Sequence, residues 1–449
     1  MRFLIIGGSD AGISAALRAR EVNPNAEVAL LLEDEFPNYS ICGLPFFLSG
    51  ETPDWKTLAH RTEFEGISIY RKHRAHRIDA VAKIVEASVD GRQVRFAYDK
   101  LLIGTGARPV RPKIEGWNLP GVFLLHTMED SFDLREYLET ANPRRAIIVG
   151  AGYLGLEMAD ALTHRGIEVV VASRTPTVLA TVDPAFGELV QEELERHGVV
   201  VHTGVEIDSI ASRDNRLRVN GKNFEEECDL VLIAVGVTPN VELGVEIGVA
   251  TGVKGALQVN RRMETTIPDI YAAGDCGETW HRLLGRNTYL PLGTTAHKQG
   301  RVAGENAVGG EREFAGSLGT QVVKLFNLVI ARTGFRQDEA RSEELDAVTT
   351  EVAVNDHKAY YPGATTIRCQ VTGHAKTGRL LGAQIMGTWG AEISKRNDIF
   401  AAALFNEMTV DRVLDFDLSY TPPLSSPWDP VQMACQAWSV EHAVRDREI

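Results

Sequence analysis

The chain has 449 residues and carries 47 Lys and Arg against 61 Asp and Glu, a formal net charge of −14. So acidic a protein argues against a polyanionic partner, and neither nucleic acid nor a membrane surface is expected. Hydrophobic residues at 44% and charged residues at 24% exclude a disordered chain, and the length suits roughly two to four domains.

No apolar run approaches the ~18 residues that cross a bilayer, and the first one, residues 3–6, runs straight into glycines. Neither a transmembrane helix nor a signal peptide is expected. The five cysteines, Cys42, Cys228, Cys276, Cys369 and Cys435, are too scattered for a disulfide framework or a paired metal site. A reducing cytoplasm without a bound metal is the expected setting, and a functional cysteine there is reactive rather than structural.

In chain order, Arg2–Ile6 reads as a buried strand, Gly7-Gly8-Ser9-Asp10-Ala11-Gly12 as a tight turn, and residues 13–21 as a helix stopped by Asn23-Pro24. A second buried strand over 28–32 ends at Glu33. In this βαβ unit the unpaired N–H groups and dipole of the helix N-terminus favour an anion, and Glu33 stands where a carboxylate accepts a ribose hydroxyl. Ser9 replaces the middle glycine of the dinucleotide fingerprint, so this turn alone is weak evidence. Next comes Cys42 in Asn38-Tyr39-Ser40-Ile41-Cys42-Gly43-Leu44-Pro45, at the entrance of a short helix whose dipole is expected to favour thiolate. The basic stretch over 71–77 reads as a solvated strand edge or a source of charge.

Lys100-Leu101-Leu102-Ile103-Gly104-Thr105-Gly106-Ala107 is a buried strand ending in a glycine turn. A second unit follows: a strand over 146–149, the full GxGxxG of Gly150, Gly152 and Gly155, a helix to about His164, and a strand over 169–172. That strand ends in Ser173 and Arg174 rather than a carboxylate. A small residue followed by Arg leaves room and charge for the 2′-phosphate of NADP, the alternative being a surface arginine. Residues 230–235 with Gly236-Val237-Thr238-Pro239-Asn240, and Ile270-Tyr271-Ala272-Ala273-Gly274-Asp275, repeat the strand-and-glycine pattern. Beyond about residue 320, alternating segments over 321–326, 366–371 and 380–386 predict antiparallel strands, with helices over 391–408 and 410–413 and a turn at Thr421-Pro422-Pro423. The fold class expected is α/β: two Rossmann-like units and a C-terminal α+β domain.

The order of these motifs resembles the FAD-dependent pyridine nucleotide-disulfide oxidoreductases, in the single-cysteine branch of coenzyme A-disulfide reductase, NADH oxidase and NADH peroxidase. The resemblance spans nearly the whole chain and rests on seven segments: 7–12, 38–45, 104–107, 150–157, 236–240, 266–275 and 420–423. It implies an FAD domain in two parts (1–115 and 247–320), an inserted NAD(P)H domain (116–246), and a C-terminal domain (321–449) that forms a homodimer. Gly7, Ser9, Gly12 and Gly106 then face FAD, with Glu33 at its adenosine ribose and Asp275 at its ribityl chain. Gly150, Gly152, Gly155 and Arg174 face NADPH or NADH, with Glu157 near the nicotinamide.

Cys42 has no second cysteine nearby, so its oxidised state is a mixed disulfide, a persulfide or a sulfenic acid. The activity implied is NAD(P)H-dependent reduction of a small-molecule disulfide or persulfide. Tyr361 and Tyr420 match family tyrosines that reach the partner subunit's cysteine, where a phenol donates a proton to a departing thiolate; packing tyrosines at an interface are the alternative. Lys72 and Arg301 match positions that bind coenzyme A phosphates. Glu21, Ile41 and His297 depart from that pattern, so another thiol carrier stays open. An oxidase or peroxidase working through Cys42 sulfenic acid is the rival activity, disfavoured by Asp10 where those branches carry a histidine. A flavoprotein passing electrons to another acceptor is a further alternative.

Overall fold

The computed structural model describes residues 1–214 and 216–442; the last seven residues of the expected C-terminal domain lie outside the described part. Three five-stranded sheets organise it. The first is parallel throughout, in the order Ile270–Ala272, Lys100–Ile103, Arg2–Ile6, Glu27–Leu31, Ile67–Tyr70. Its central strands are buried on both faces, which is why they read as unbroken apolar runs instead of alternating ones. One face is covered by the helices Asp10–Val22 and Gly293–Ala307, which pack against each other. The other meets the antiparallel meander Arg74–Asp79, Ile84–Val89 and Arg92–Ala97, whose Val85 and Ala87 join the same core.

The second sheet is also parallel, in the order Val200–Thr203, Glu168–Ser173, Arg145–Val149, Leu230–Ile233, Val122–Phe123. The chain passes between the two units through paired short strands, Ala107–Pro109 against Val237–Pro239. Asn240 fixes this crossing: its Nδ2 donates to Thr105 O at 3.0 Å and its own carbonyl accepts the Thr105 hydroxyl at 2.6 Å.

The third sheet is antiparallel, in the order Gln321–Leu325, Leu328–Gly334, Leu380–Thr388, Thr366–His374, Ala347–Asn355, and carries the helices Ile393–Phe405 and Pro430–Glu441. The strands Leu328–Gly334 and Ala347–Asn355 and the last helix were not expected from sequence. This sheet shares a buried core with the second unit through Val323, Leu325, Ile330 and Met386, and two polar contacts add to it: Asp183 N–H donates to Gln384 Oε1 at 2.7 Å, and Phe326 N–H to Asp160 Oδ2 at 2.8 Å. Among the described residues no helix is long and apolar enough to cross a membrane. The fold is α/β, with two Rossmann-like units and an α+β C-terminal domain.

The two covering helices of the first unit approach each other closely through glycines. A Cβ on Gly300 would collide with the carbonyl of Ala11, and one on Gly304 with that of Ala15. Gly300→Val is therefore expected to destabilise the protein by about 1–3 kcal/mol or more in denaturant unfolding. The exposed neighbour substitution Lys298→Ala should stay within about 0.5 kcal/mol of the parent. Equal stability of the two variants would contradict this packing.

Candidate active site

The two glycine turns are built alike. Gly7 has φ +115° and Gly150 φ +112°, and a side chain on either would strike the end of the neighbouring strand, at Gly104 and Ala234 respectively. In both turns the third glycine, Gly12 or Gly155, packs its Cα onto the carbonyl of the first. The middle position is different. Gly152 has φ −84° with open space beside it, and Ser9 has φ −99°, an ordinary value for a residue with a side chain. Ser9 therefore leaves the turn intact, which explains why the first fingerprint departs from consensus without losing its shape.

Each turn opens a helix without a side-chain cap. Ile13 N–H to Ser9 O and Leu156 N–H to Gly152 O, both 3.0 Å, are the first intrahelical bonds, so the N–H groups ahead of them face the turn. Such ends suit a pyrophosphate. Gly106, at φ +68° with no atom crowding it, lets the chain turn beside the first of these ends. Glu33, just past the second strand, is exposed and pairs with Arg74 at 3.2 Å. Arg174 is exposed at the corresponding edge of the second unit, beside buried Ser173, whose hydroxyl is 2.8 Å from that of Thr175. These donors and openings fit two dinucleotides, one per unit.

Cys42 lies in a single 3-10 turn, Ile41–Gly43, just before the six-residue helix Leu44–Ser49. The thiol keeps an exposed edge, yet the atoms packed around it govern its acidity. Burial pushes its pKa up, and the carboxylates of Glu157, Asp10 and Asp275 push the same way; its own backbone N–H opposes them. The expectation of a dipole-stabilised thiolate is corrected here. The helix is short, and burial, then three acids from different elements, raise the thiol.

Those acids are themselves perturbed. Burial, then Asp160, raises Glu157 to about 7. Burial, then Asp10, raises Asp275 to about 6. Burial also raises Asp10, against the opposing pull of His297 and His60. His297 Nδ1 lies 2.7 Å from the Ser14 hydroxyl. From sequence, Asp10 registers only as a departure and Ser14 not at all; their meeting with His297 is a product of helix packing that no local pattern announces.

The other expected site residues lie apart from this cluster. Tyr361 and Tyr420 stand on exposed loops of the C-terminal domain. Lys72, at φ +58°, is paired with Glu35, and Arg301 lies 3.3 Å from Glu21. The two bases are thus engaged by this chain's own carboxylates. Cys228, Cys276, Cys369 and Cys435 are buried, as expected for packing cysteines. Because Glu157 leads the charges acting on Cys42, Glu157→Gln should speed alkylation of Cys42 at pH 8. An unchanged rate would mean that this carboxylate does not act on the thiol.

Residues 1–300 match the family Pyridine nucleotide-disulphide oxidoreductase, and residues 320–430 its dimerisation domain. The NAD(P)H sulfur oxidoreductase (CoA-dependent) of Pyrococcus furiosus is 36% identical, over 96% of this chain and 97% of that protein. Among solved structures, an NAD-dependent persulfide reductase from A. fulgidus superposes with a TM-score of 0.94 at 33% identity, covering 99% of this chain and 84% of that one. An engineered water-forming NADPH oxidase bound to NADPH, made from the Lactobacillus brevis NADH oxidase, superposes with a TM-score of 0.93 at 25% identity, covering 99% of each chain. By sequence and fold, this chain belongs to the pyridine nucleotide-disulphide oxidoreductases, enzymes that work with FAD and NADH or NADPH.

Proposed function

We propose that this protein is a cytoplasmic, homodimeric NAD(P)H oxidoreductase that reduces a small-molecule disulfide or persulfide through Cys42. One observation carries the reading: the charges of Asp10 of the first glycine turn, Glu157 of the helix opened by the second, and Asp275 of the Gly-Asp strand end all act on a lone cysteine. A sulfur at the junction of two dinucleotide turns is placed to take electrons that enter from one and leave through the other. The sulfur and persulfide reductases named among its relatives support the same chemistry.

In this reading Gly7, Ser9, Gly12 and Gly106 hold FAD, with Glu33 at the ribose and Asp275 at the ribityl chain. Gly150, Gly152 and Gly155 hold the nicotinamide cofactor, with Glu157 beside its ring. FAD, when bound, relays two electrons from the nicotinamide to sulfur. Cys42 attacks one sulfur of the substrate, forming a mixed disulfide and expelling the other sulfur as a thiolate that takes up a proton. The two electrons then cleave the mixed disulfide and free the second thiol, so that NAD(P)H, one proton and one disulfide give NAD(P)+ and two thiols. Tyr361 and Tyr420 lie on exposed loops of the same domain that matches the family's dimerisation domain, and in a dimer they serve the partner's Cys42 as proton donors. Lys72 and Arg301 are the candidate contacts for phosphates of a coenzyme A-type substrate. The division of the chain at 115/116, 246/247 and 320/321 follows from the same reading.

Arg174 points to NADPH. The engineered relative carries five substitutions, among them Asp to Ala followed directly by Ala to Arg, and binds NADPH. This chain already has a small residue followed by Arg, at Ser173 and Arg174. Arg174→Ala should raise the KM for NADPH on the order of tenfold and leave that for NADH nearly unchanged; an equal effect on both would remove Arg174 from phosphate recognition.

The deciding experiment is anaerobic NADPH titration of the yellow protein with mass spectrometry of Cys42. A long-wavelength thiolate–flavin band and release of a thiol adduct are expected, and Cys42→Ser should keep NADPH-reducible flavin but lose disulfide turnover. Full disulfide turnover in Cys42→Ser would end the role given to Cys42, and aerobic oxygen consumption in place of disulfide reduction would replace this reading with an oxidase.

A further inference from the structure

The C-terminal domain exposes an unusual set of large side chains on two loops: Tyr360 and Tyr361 on one, Tyr420, Leu424 and Trp428 on the other. Exposed aromatics on loops are ordinarily mobile, yet these loops share one buried anchor. Arg396, on the helix Ile393–Phe405, is 5% exposed. Its Nη1 donates to Asp429 Oδ2 at 2.9 Å, and its Nη2 donates to the carbonyls of Asp356 at 2.7 Å and Leu424 at 3.2 Å. One guanidinium thereby grips the root of the first loop and the middle of the second.

Each end of the grip is locked in turn. Asp429 accepts the Ser425 hydroxyl at 2.8 Å and caps the last helix through Val431 N–H at 2.9 Å. Asp356 accepts the N–H groups of His357 and Thr365 at 2.9 and 2.8 Å, closing the first loop on itself. Lys358 N–H then bridges to Pro422 O at 3.3 Å, and its Nζ lies 5.0 Å over the Trp428 ring. The Tyr361 ring packs edge-on against His357 at 5.8 Å. A buried ion pair of this kind is weak evidence for stability, because desolvation offsets much of its attraction. What it supplies is a fixed relation between two backbones through a planar, forked donor that no other side chain reproduces.

We infer that Arg396 is a positioning residue for the disulfide half-reaction: it holds the Tyr361 and Tyr420 loops in one geometry so that both phenols meet the same departing thiolate. The inference rests on the disulfide-reductase reading. It does not follow from the family motifs, since Arg396 touches neither dinucleotide turn nor Cys42.

The test uses the FAD-loaded full chain with coenzyme A disulfide and with inorganic polysulfide as probes. Arg396→Lys keeps the charge but loses the fork. Its kcat for the probe that the parent turns over should fall on the order of 10- to 100-fold, with flavin reduction by NADPH and the KM for NADPH unchanged. Placed in a Tyr361→Phe, Tyr420→Phe background, it should add no further loss, because the phenols it positions are gone. An undiminished kcat, or a loss that multiplies with that of the tyrosine variants, would overturn the inference. If Arg396→Lys does not fold, Asp429→Asn, which preserves the helix cap, should show a smaller loss confined to the same half-reaction; parental kinetics in that variant would equally overturn it. A parent protein that turns over neither probe defeats the reductase reading itself, and the role of Arg396 falls with it.

Discussion

The constraint from which the rest follows is the collision that a side chain would suffer at Gly7 and Gly150. At both positions the backbone takes a left-handed conformation and lies against the end of an adjacent parallel strand. This contact brings a helix N-terminus directly over the carboxyl edge of the sheet, where parallel strands leave a crevice. The first sheet delivers Asp275 and Gly106 to that edge and the second delivers Glu157. Cys42 reaches the same place from the segment after the second strand. The candidate site is thus less a motif than a meeting of strand ends, set by the two parallel sheets.

The electrostatics at the meeting point run against the simplest idea of a reactive cysteine. Attack on a disulfide requires thiolate, and each unit by which the thiol pKa rises above ambient pH lowers the thiolate fraction about tenfold, while the higher basicity restores only about threefold in nucleophilicity. Burial and three carboxylates therefore slow Cys42 unless the carboxylates are neutral. Two of them lie well above the ordinary carboxylate range: burial, then Asp160, raises Glu157 to about 7, and burial, then Asp10, raises Asp275 to about 6. A protonated Glu157 lifts part of the penalty on Cys42, and an ionised one restores it. Thiol and acid titrate as a coupled set, so the pH profile belongs to the cluster and not to any single member.

What the sequence made legible was whatever is written locally. Arg2–Ile6 and the helix end at His164 are marked by an apolar run and by a glycine turn, and the strands over 100–103, 230–233 and 270–272 each end in glycine or an acid. The missing pieces have physical reasons. Leu328–Gly334 places a buried arginine, Arg332, within a strand, which breaks the apolar pattern. In Ala347–Asn355, at the edge of its sheet, the alternation is mostly of half-buried and exposed positions. Cys42 stood out through its motif, but its chemistry did not: Asp10, Glu157 and Asp275 are separated by more than a hundred residues, and only tertiary packing sums their charges on one sulfur. Arg396 was equally invisible, since an arginine within a helical segment reads as a solvated face until its three acceptors are seen.

The same three acids bear on which oxidant this site accepts. A sulfenate, a peroxide anion and a thiolate all carry negative charge, and carboxylates in a partly desolvated cleft raise the free energy of each. A neutral disulfide or polysulfide chain approaches Cys42 without that repulsion and generates negative charge only as its bond breaks. At that moment a proton source close to the leaving sulfur matters most. The paired tyrosine loops fixed by Arg396 would provide one from outside the acidic cluster. A cleft that discourages standing anions, combined with external donors for a transient one, favours sulfur–sulfur cleavage over oxygen chemistry. On this argument the step from oxidase to disulfide reductase within one fold requires no new cofactor, only a change in which charges surround the cysteine.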